Sequence, residues 1–124
     1  MHTVLIVEDG DNVAPLEIAL GSITSVEIQV LRNGREALKL LESDLINLSA
    51  VVTDLNLPYV DGFQLVAAIR SHKRYSQVPI IVISGEGQKD IPERLRSLGA
   101  NAFFTKPYSP AQIRQTVEEL IREI

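Results

Sequence analysis

Val51-Val52-Thr53-Asp54-Leu55-Asn56-Leu57-Pro58 is the stretch whose reading decides the fold. A short apolar run leads into a carboxylate, and a turn closed by Pro58 follows. An apolar run of this kind reads as a strand, Ala50 to Thr53, buried on both faces. Asp54 then stands at the carboxyl end of that strand, the edge at which open parallel α/β sheets bind ligands. A lone Asp after a strand would more simply cap a turn. Asp54 is not alone, because three other strand-like runs end in polar groups of complementary type.

Val4-Leu5-Ile6-Val7 is fully apolar and stops at Glu8-Asp9. Ile80-Ile81-Val82-Ile83 follows Pro79 and stops at Ser84-Gly85. Ala102-Phe103-Phe104-Thr105 precedes Lys106-Pro107. Val26, Ile28 and Val30 alternate with Glu27 and Gln29, the period-two pattern of a strand with one wet face. Helices fill the intervals. Asp11 or Asn12 caps one that runs to about Ser22, with Pro15 tolerated in its first turn. Arg32-Asn33-Gly34 turns the chain into a second, from Arg35 to about Ser43. Asp61 with Gln64 forms a capping box for a third that runs to about His72. Asp90 with Glu93 opens a short fourth, ended by Gly99. Ser109-Pro110-Ala111-Gln112 opens the fifth, whose stripe is Ile113, Val117, Leu120, Ile121 and Ile124.

Five strands alternating with five helices predict an α/β fold, a doubly wound parallel sheet of flavodoxin-like (βα)5 type. The two-faced apolar strands belong in the middle, and the half-wet second and short fifth belong at the edges. With right-handed crossovers this gives the order 2-1-3-4-5 and a switch point between strands one and three. The 124 residues suit one domain, which buries roughly two thirds of its unfolded surface. No linker or further domain is expected within residues 1–124. The net charge of −4 argues against non-specific nucleic-acid binding, and no run reaches the ~20 apolar residues of a membrane span. There is no cysteine, so thiolate metal sites and disulfides are excluded. A cytoplasmic location is the expectation.

Collected at one rim, the strand ends present Glu8, Asp9, Asp54, Ser84 and Lys106. Three neighbouring carboxylates cannot all stay ionised uncompensated, and a hard divalent cation is the simplest remedy. Mg²⁺ takes oxygen ligands, keeps several waters and often binds through one or two carboxylates plus phosphate. No His or Cys adjoins the group, which disfavours zinc. A carboxylate beside Mg²⁺, a lysine and a hydroxyl suits phosphoryl transfer, with the carboxylate as nucleophile and the cations offsetting charge on the phosphoryl oxygens. Gly85 leaves access beside Ser84. His2 and His72 are read as surface residues.

Val7-Glu8-Asp9, Thr53-Asp54-Leu55-Asn56-Leu57-Pro58 with Asp61-Gly62, Ile83-Ser84-Gly85 and Phe103-Phe104-Thr105-Lys106-Pro107, in this order, resemble a two-component response-regulator receiver domain of the chemotaxis-receiver type. Such receivers exemplify the 2-1-3-4-5 order, so strand order and resemblance are not independent. The resemblance covers essentially the whole chain. It implies that Asp54 is the phospho-acceptor and that Asp9, Asp54 and the Asn56 backbone carbonyl hold Mg²⁺ (or Mn²⁺), with Glu8 acting through water. It implies that Lys106 pairs with the phosphoryl group beside a cis Lys106–Pro107 peptide. Ser84 and Phe103 are then the switch residues, Asn56 and Glu86 tune the phosphoryl lifetime, and Pro58 and Gly62 shape the loop. The donor is a histidine kinase or histidine phosphotransfer protein. A downstream protein reads the face of the fourth helix, fifth strand and fifth helix, with no direct contact to nucleic acid or membrane.

The sequence departs from the commoner pattern in Glu8 for Asp, in Ser84 for Thr, and in Asn101-Ala102 where many DNA-binding relatives carry an acidic pair at a dimer face. Two other classes compete with the switch. A haloacid-dehalogenase-type aspartyl-phosphate phosphatase wants an Asp where Asn56 stands and usually a cap domain. A phosphorylation-independent docking module would not need an intact acceptor site.

Overall fold

The computed structural model describes residues 2–10, 13–43, 46–85 and 89–122. Among them, five strands alternate with five helices. The strands are β1 (His2–Val7), β2 (Val26–Leu31), β3 (Leu48–Asp54), β4 (Ile80–Ser84) and β5 (Ala102–Thr105). The helices are α1 (Ala14–Gly21), α2 (Gly34–Glu42), α3 (Gly62–Ser71), α4 (Ile91–Leu98) and α5 (Pro110–Arg122). The sheet order is β2-β1-β3-β4-β5, and every neighbouring pair is parallel. The order expected from the strand patterns therefore stands.

The apolar runs are two-faced because the sheet is covered on both sides. Leu5, Val7, Val51 and Val82 point to one layer, where Ala37, Leu41, Leu65, Val66, Ile69 and Leu95 of α2, α3 and α4 meet them. Val4, Ile6, Val52 and Ile83 point to the other, where Leu16 and Leu20 of α1 and Ile113 and Val117 of α5 close over them. Successive side chains on a strand face opposite ways, so an unbroken apolar run supplies both cores at once. All seven residues of β3 are buried, as its central place requires. In β2, Glu27 and Gln29 face solvent at the sheet edge, which blunts that edge.

The helix starts follow local chemistry at α2, α3 and α5 but not at α1 and α4. The Asp61–Gln64 capping box is present, and the Gln112 backbone N–H donates to Ser109 Oγ at 3.3 Å. Pro15 sits in the first turn of α1, whose cap position falls to Val13 with no side-chain capping bond rather than to Asp11 or Asn12, which lie outside the described residues. Asn33 proves to be the cap of α2: its side chain accepts from the Glu36 N–H at 2.9 Å. The Asn33-to-Glu36 spacing carried that signal. Asp90 does not cap α4. Its backbone is already helical and its side chain makes no capping bond, lying instead 3.9 Å from Arg94 one turn on. Gly99 ends α4 at φ +109°, a left-handed position that suits glycine.

Candidate functional site

The carboxyl ends of the strands bring Glu8, Asp54 and Lys106 together. Asp54 closes β3 and is 4% exposed. Lys106 follows β5, which lies two strands away, about 10 Å at the usual spacing. The long lysine side chain spans that gap and places Nζ 3.1 Å from Asp54 Oδ1. The same ammonium lies 3.8 Å from Glu8 Oε1. Glu8 is itself buried and its backbone N–H donates to the Leu31 carbonyl at 2.9 Å, fixing the end of β1 beside β2. The Lys106 N–H donates to the Ser84 carbonyl at 2.9 Å, which locks the last residues of β4 and β5 in register. The Lys106–Pro107 peptide is cis, in accord with the resemblance.

The loop after Asp54 folds back on the site. The Leu55 N–H continues the ladder to Ile83, and the Gly62 N–H donates to the Leu55 carbonyl at 2.7 Å. A Cβ on Gly62 would lie 2.7 Å from Leu55 Cα and 2.8 Å from the Asp54 carbonyl oxygen, so only glycine allows this approach. Tyr59, at the loop tip, takes φ +71° with 69% of its surface exposed, and the Arg35 guanidinium lies 4.1 Å from its ring centroid. Neither the strained turn nor its cation partner was legible in the sequence.

The electrostatics follow from burial. Removal from water is the largest influence raising the Asp54 carboxyl above its ordinary range. The bond and charge of Lys106 oppose it, and Asp9 adds to it. Glu8 is raised by the same removal from water and by the charge of Asp54, again against Lys106. Burial alone would pull the Lys106 ammonium down, but Asp54, Glu8 and Asp9 together raise it. Tyr108, two residues beyond Lys106, is raised by burial and by the charges of Glu8 and Asp54. With Glu8, Gly10, Pro15, Lys106, Pro107 and Pro110 it lines a cleft of ≈ 720 Å³ beside the acids. The sequence reading passed Tyr108 over, although it shares a loop with Lys106.

The expected trio of acids is thus a buried pair bridged by an ammonium, with Asp9 exposed next to it. Among the described residues, no group of three His, Cys, Asp or Glu is disposed to hold a metal by itself. A small hard cation still suits the donor chemistry. The donors are oxygens only, two of the acids carry charge that burial leaves undercompensated, and such an ion completes its shell with water and phosphate. Ser84 is buried at the end of β4, and Asn56 is exposed just past Asp54. Phe103 and Phe104 are both half-buried, but on opposite faces. Phe103 packs with the α2–α3–α4 layer and Phe104 with the α1–α5 layer. Glu86 lies outside the described residues. His2 is exposed and shares a 2.6 Å hydrogen bond with Ser49 at the far end of the sheet, well away from the acids.

Comparison with known proteins agrees with the fold and with the resemblance. A family model described as the response regulator receiver domain matches residues 4–118. The Staphylococcus aureus transcriptional regulatory protein SrrA is 33% identical over 121 residues, which cover 98% of this chain and 48% of that protein. The chain therefore spans about half the length of the curated relatives it matches. The chemotaxis response regulator CheY4 of Vibrio cholerae superposes with a TM-score of 0.82 at 25% identity, over 97% of this chain and 98% of that one. The receiver domain of a Pseudomonas aeruginosa sensor histidine kinase, solved with a magnesium ion coordinated in its active-site cleft, gives 0.83 at 25% identity over 97% of each chain. No helix among the described residues is long and apolar enough to cross a membrane.

Proposed function

The chain belongs to the response regulator receiver domain family of two-component signalling, and from that premise we propose that Asp54 accepts a phosphoryl group from a phosphohistidine and that the chain's partner-binding surface changes in response. The observation that carries this reading is the buried Asp54 carboxylate held 3.1 Å from an ammonium at the rim of the sheet. In the transfer, an Asp54 oxygen attacks phosphorus, an O–P bond forms and the P–N bond breaks. The electron pair returns to the donor imidazole. Lys106 stays protonated throughout and offsets charge on the phosphoryl oxygens. Burial strips much of the water shell from the Asp54 nucleophile, while the ammonium beside it keeps part of its own.

Asp9, Asp54 and the Asn56 carbonyl are the groups to hold Mg²⁺ or Mn²⁺, with Glu8 acting through a water; the bound ion supplies further positive charge at the phosphoryl oxygens. Ser84 donates its hydroxyl to a phosphoryl oxygen, and Phe103 turns inward on the α4 side. The face made by α4, β5 and α5 is then read by a protein partner. Differential contacts of a few kcal/mol suffice for such a population shift. Asn56 and Glu86 set how long the phosphoryl group survives. The donor is a histidine kinase or histidine phosphotransfer protein, the location is cytoplasmic, and residues 1–124 act as one receiver unit. The chain turns over no external substrate.

The test is incubation with phosphoramidate and Mg²⁺, read by intact mass and by peptide mapping. The expected outcome is one phosphoryl group on Asp54 and none on Asp54→Ala. Uptake by Asp54→Ala, or repeated turnover of small phosphoesters, overturns the reading, and the latter supports the phosphatase class instead.

A further inference from the structure

Lys106 Nζ has two carboxylate neighbours, and they differ in what phosphorylation does to them. Asp54, at 3.1 Å, gives up a free oxygen when it becomes an acyl phosphate. Glu8, at 3.8 Å, remains a carboxylate throughout. The Glu8 side chain is 7% exposed, whereas Lys106 is 41% exposed and otherwise free to swing on four methylenes. Glu8 Oε1 folds back over the next turn, where a Cβ on Gly10 would lie 3.2 Å from it. Two features of the sequence therefore let the carboxylate reach the lysine: the extra methylene of Glu over Asp, and the missing side chain at Gly10.

We propose that Glu8 is a positioning residue for Lys106, a constant second acceptor that keeps the ammonium at the rim while Asp54 passes from carboxylate to acyl phosphate. This rests on Asp54 being the acceptor, and it gives Glu8 a task apart from any water-mediated contact with a metal. With the anchor in place, the ammonium need only shift from an Asp54 oxygen to a phosphoryl oxygen. Without it, the lysine must be recovered from solvent at each transfer, and its rotamer freedom opposes that.

Glu8→Asp separates this role from metal binding, because it keeps the charge and the metal-compatible chemistry while drawing the carboxylate back by one methylene. Three measurements decide. The first is acetic anhydride labelling of Lys106 relative to the exposed Lys39 on α2, read by peptide mass spectrometry. The second is the rate of Asp54 phosphorylation by phosphoramidate, and the third is Mg²⁺ affinity by calorimetry. In Glu8→Asp and Glu8→Gln, Lys106 labelling rises and the phosphorylation rate falls, each about five- to tenfold, the worth of one charge-assisted bond to a half-exposed partner. Mg²⁺ affinity in Glu8→Asp stays within about twofold, since the charge is retained. Gly10→Ala, which leaves every charge in place and presses on Oε1, moves labelling the same way to a smaller degree. Wild-type labelling and rate in Glu8→Asp overturn the proposal, as does a loss of Mg²⁺ affinity in Glu8→Asp equal to that of Asp9→Asn. If the wild type takes up no phosphoryl group, the acceptor reading fails, and the labelling ratio still decides whether Glu8 holds Lys106.

Discussion

Two cations, Lys106 and Arg70, hold two corners of this molecule, and their partners are of opposite kinds. At the site rim, Lys106 meets the carboxylates of Asp54 and Glu8. At the corner where α3 ends, Arg70 meets only neutral oxygens among the described residues. Its Nε donates to the Gly99 carbonyl at 3.0 Å, and its two terminal nitrogens donate to the Ser76 carbonyl at 3.1 Å and to Asn101 Oδ1 at 3.0 Å. Asn101 Oδ1 also accepts the Ile80 N–H at 2.8 Å, so a single guanidinium ties together α3, the chain before β4, the end of α4 and the start of β5. Burial lowers the pKa of Arg70, while its acidic neighbours raise that of Lys106. A cation satisfied by dipoles fixes a corner and has no chemistry left over. At the rim, burial holds the acids above their usual range despite the cation between them, and a phosphoryl group or a metal ion can relieve them.

Four measurements can break or sharpen this contrast. Arg70→Met should have the largest effect, about 2–3 kcal/mol of stability in urea unfolding, because three backbone and amide oxygens lose a charged donor. That loss should not follow the carboxylate titration that governs the rim, since none of the three oxygens bound to Arg70 titrates. Gly99→Ala should cost about 1–2 kcal/mol, because the residue sits at φ +109° and a Cβ would lie 2.8 Å from Arg70 Nε.

Lys106→Met should cost less, on the order of 1 kcal/mol at pH 7 after solvent screening of a side chain 41% exposed. Unlike the corner variants, its cost should vanish in acid. Glu8 and Asp54 have folded pKa values above their unfolded ones. Their contribution is therefore full below the ordinary carboxylate range and is lost as pH rises through the folded values. Removing the ammonium widens that window. For the same reason Asp54→Asn, the smallest effect, should make the protein slightly more stable than wild type at pH 7, with the gap closing as pH falls. Thermal melts from about pH 4 to pH 8 read both signs. A Lys106→Met cost that is flat with pH, or an Asp54→Asn variant less stable at neutrality, would remove the distinction between rim and corner.

The rim was readable in advance and the corner was not. Asp54, Glu8, Ser84 and Lys106 each follow a strand-like run, and a parallel sheet must bring such positions to one edge. Arg70 carries no such signal. It lies in the last turn of a helix, and its acceptors are carbonyls of residues far along the chain, which no side-chain pattern encodes. Asn101 drew notice only for departing from an acidic pair, whereas its amide staples β4 to Arg70. The Asp90 cap failed because backbone torsions at that position, rather than residue type, decide whether an Asp side chain can reach the helix N–H groups.

Periodicity determined the layers, because an apolar run without alternation has to be covered on both faces, and the sequence order of strand ends determined which residues share the rim. The tertiary structure alone decided which of the rim acids meet the lysine. Asp9 differs from Glu8 by one position on the chain, yet it points to solvent while Glu8 lies buried against Lys106. Both residues follow the end of β1, and the one that turned inward met a lysine arriving from three strands away. Residue types fix what a group can do; distances of a few ångströms in a region shielded from water fix which partner it does it with.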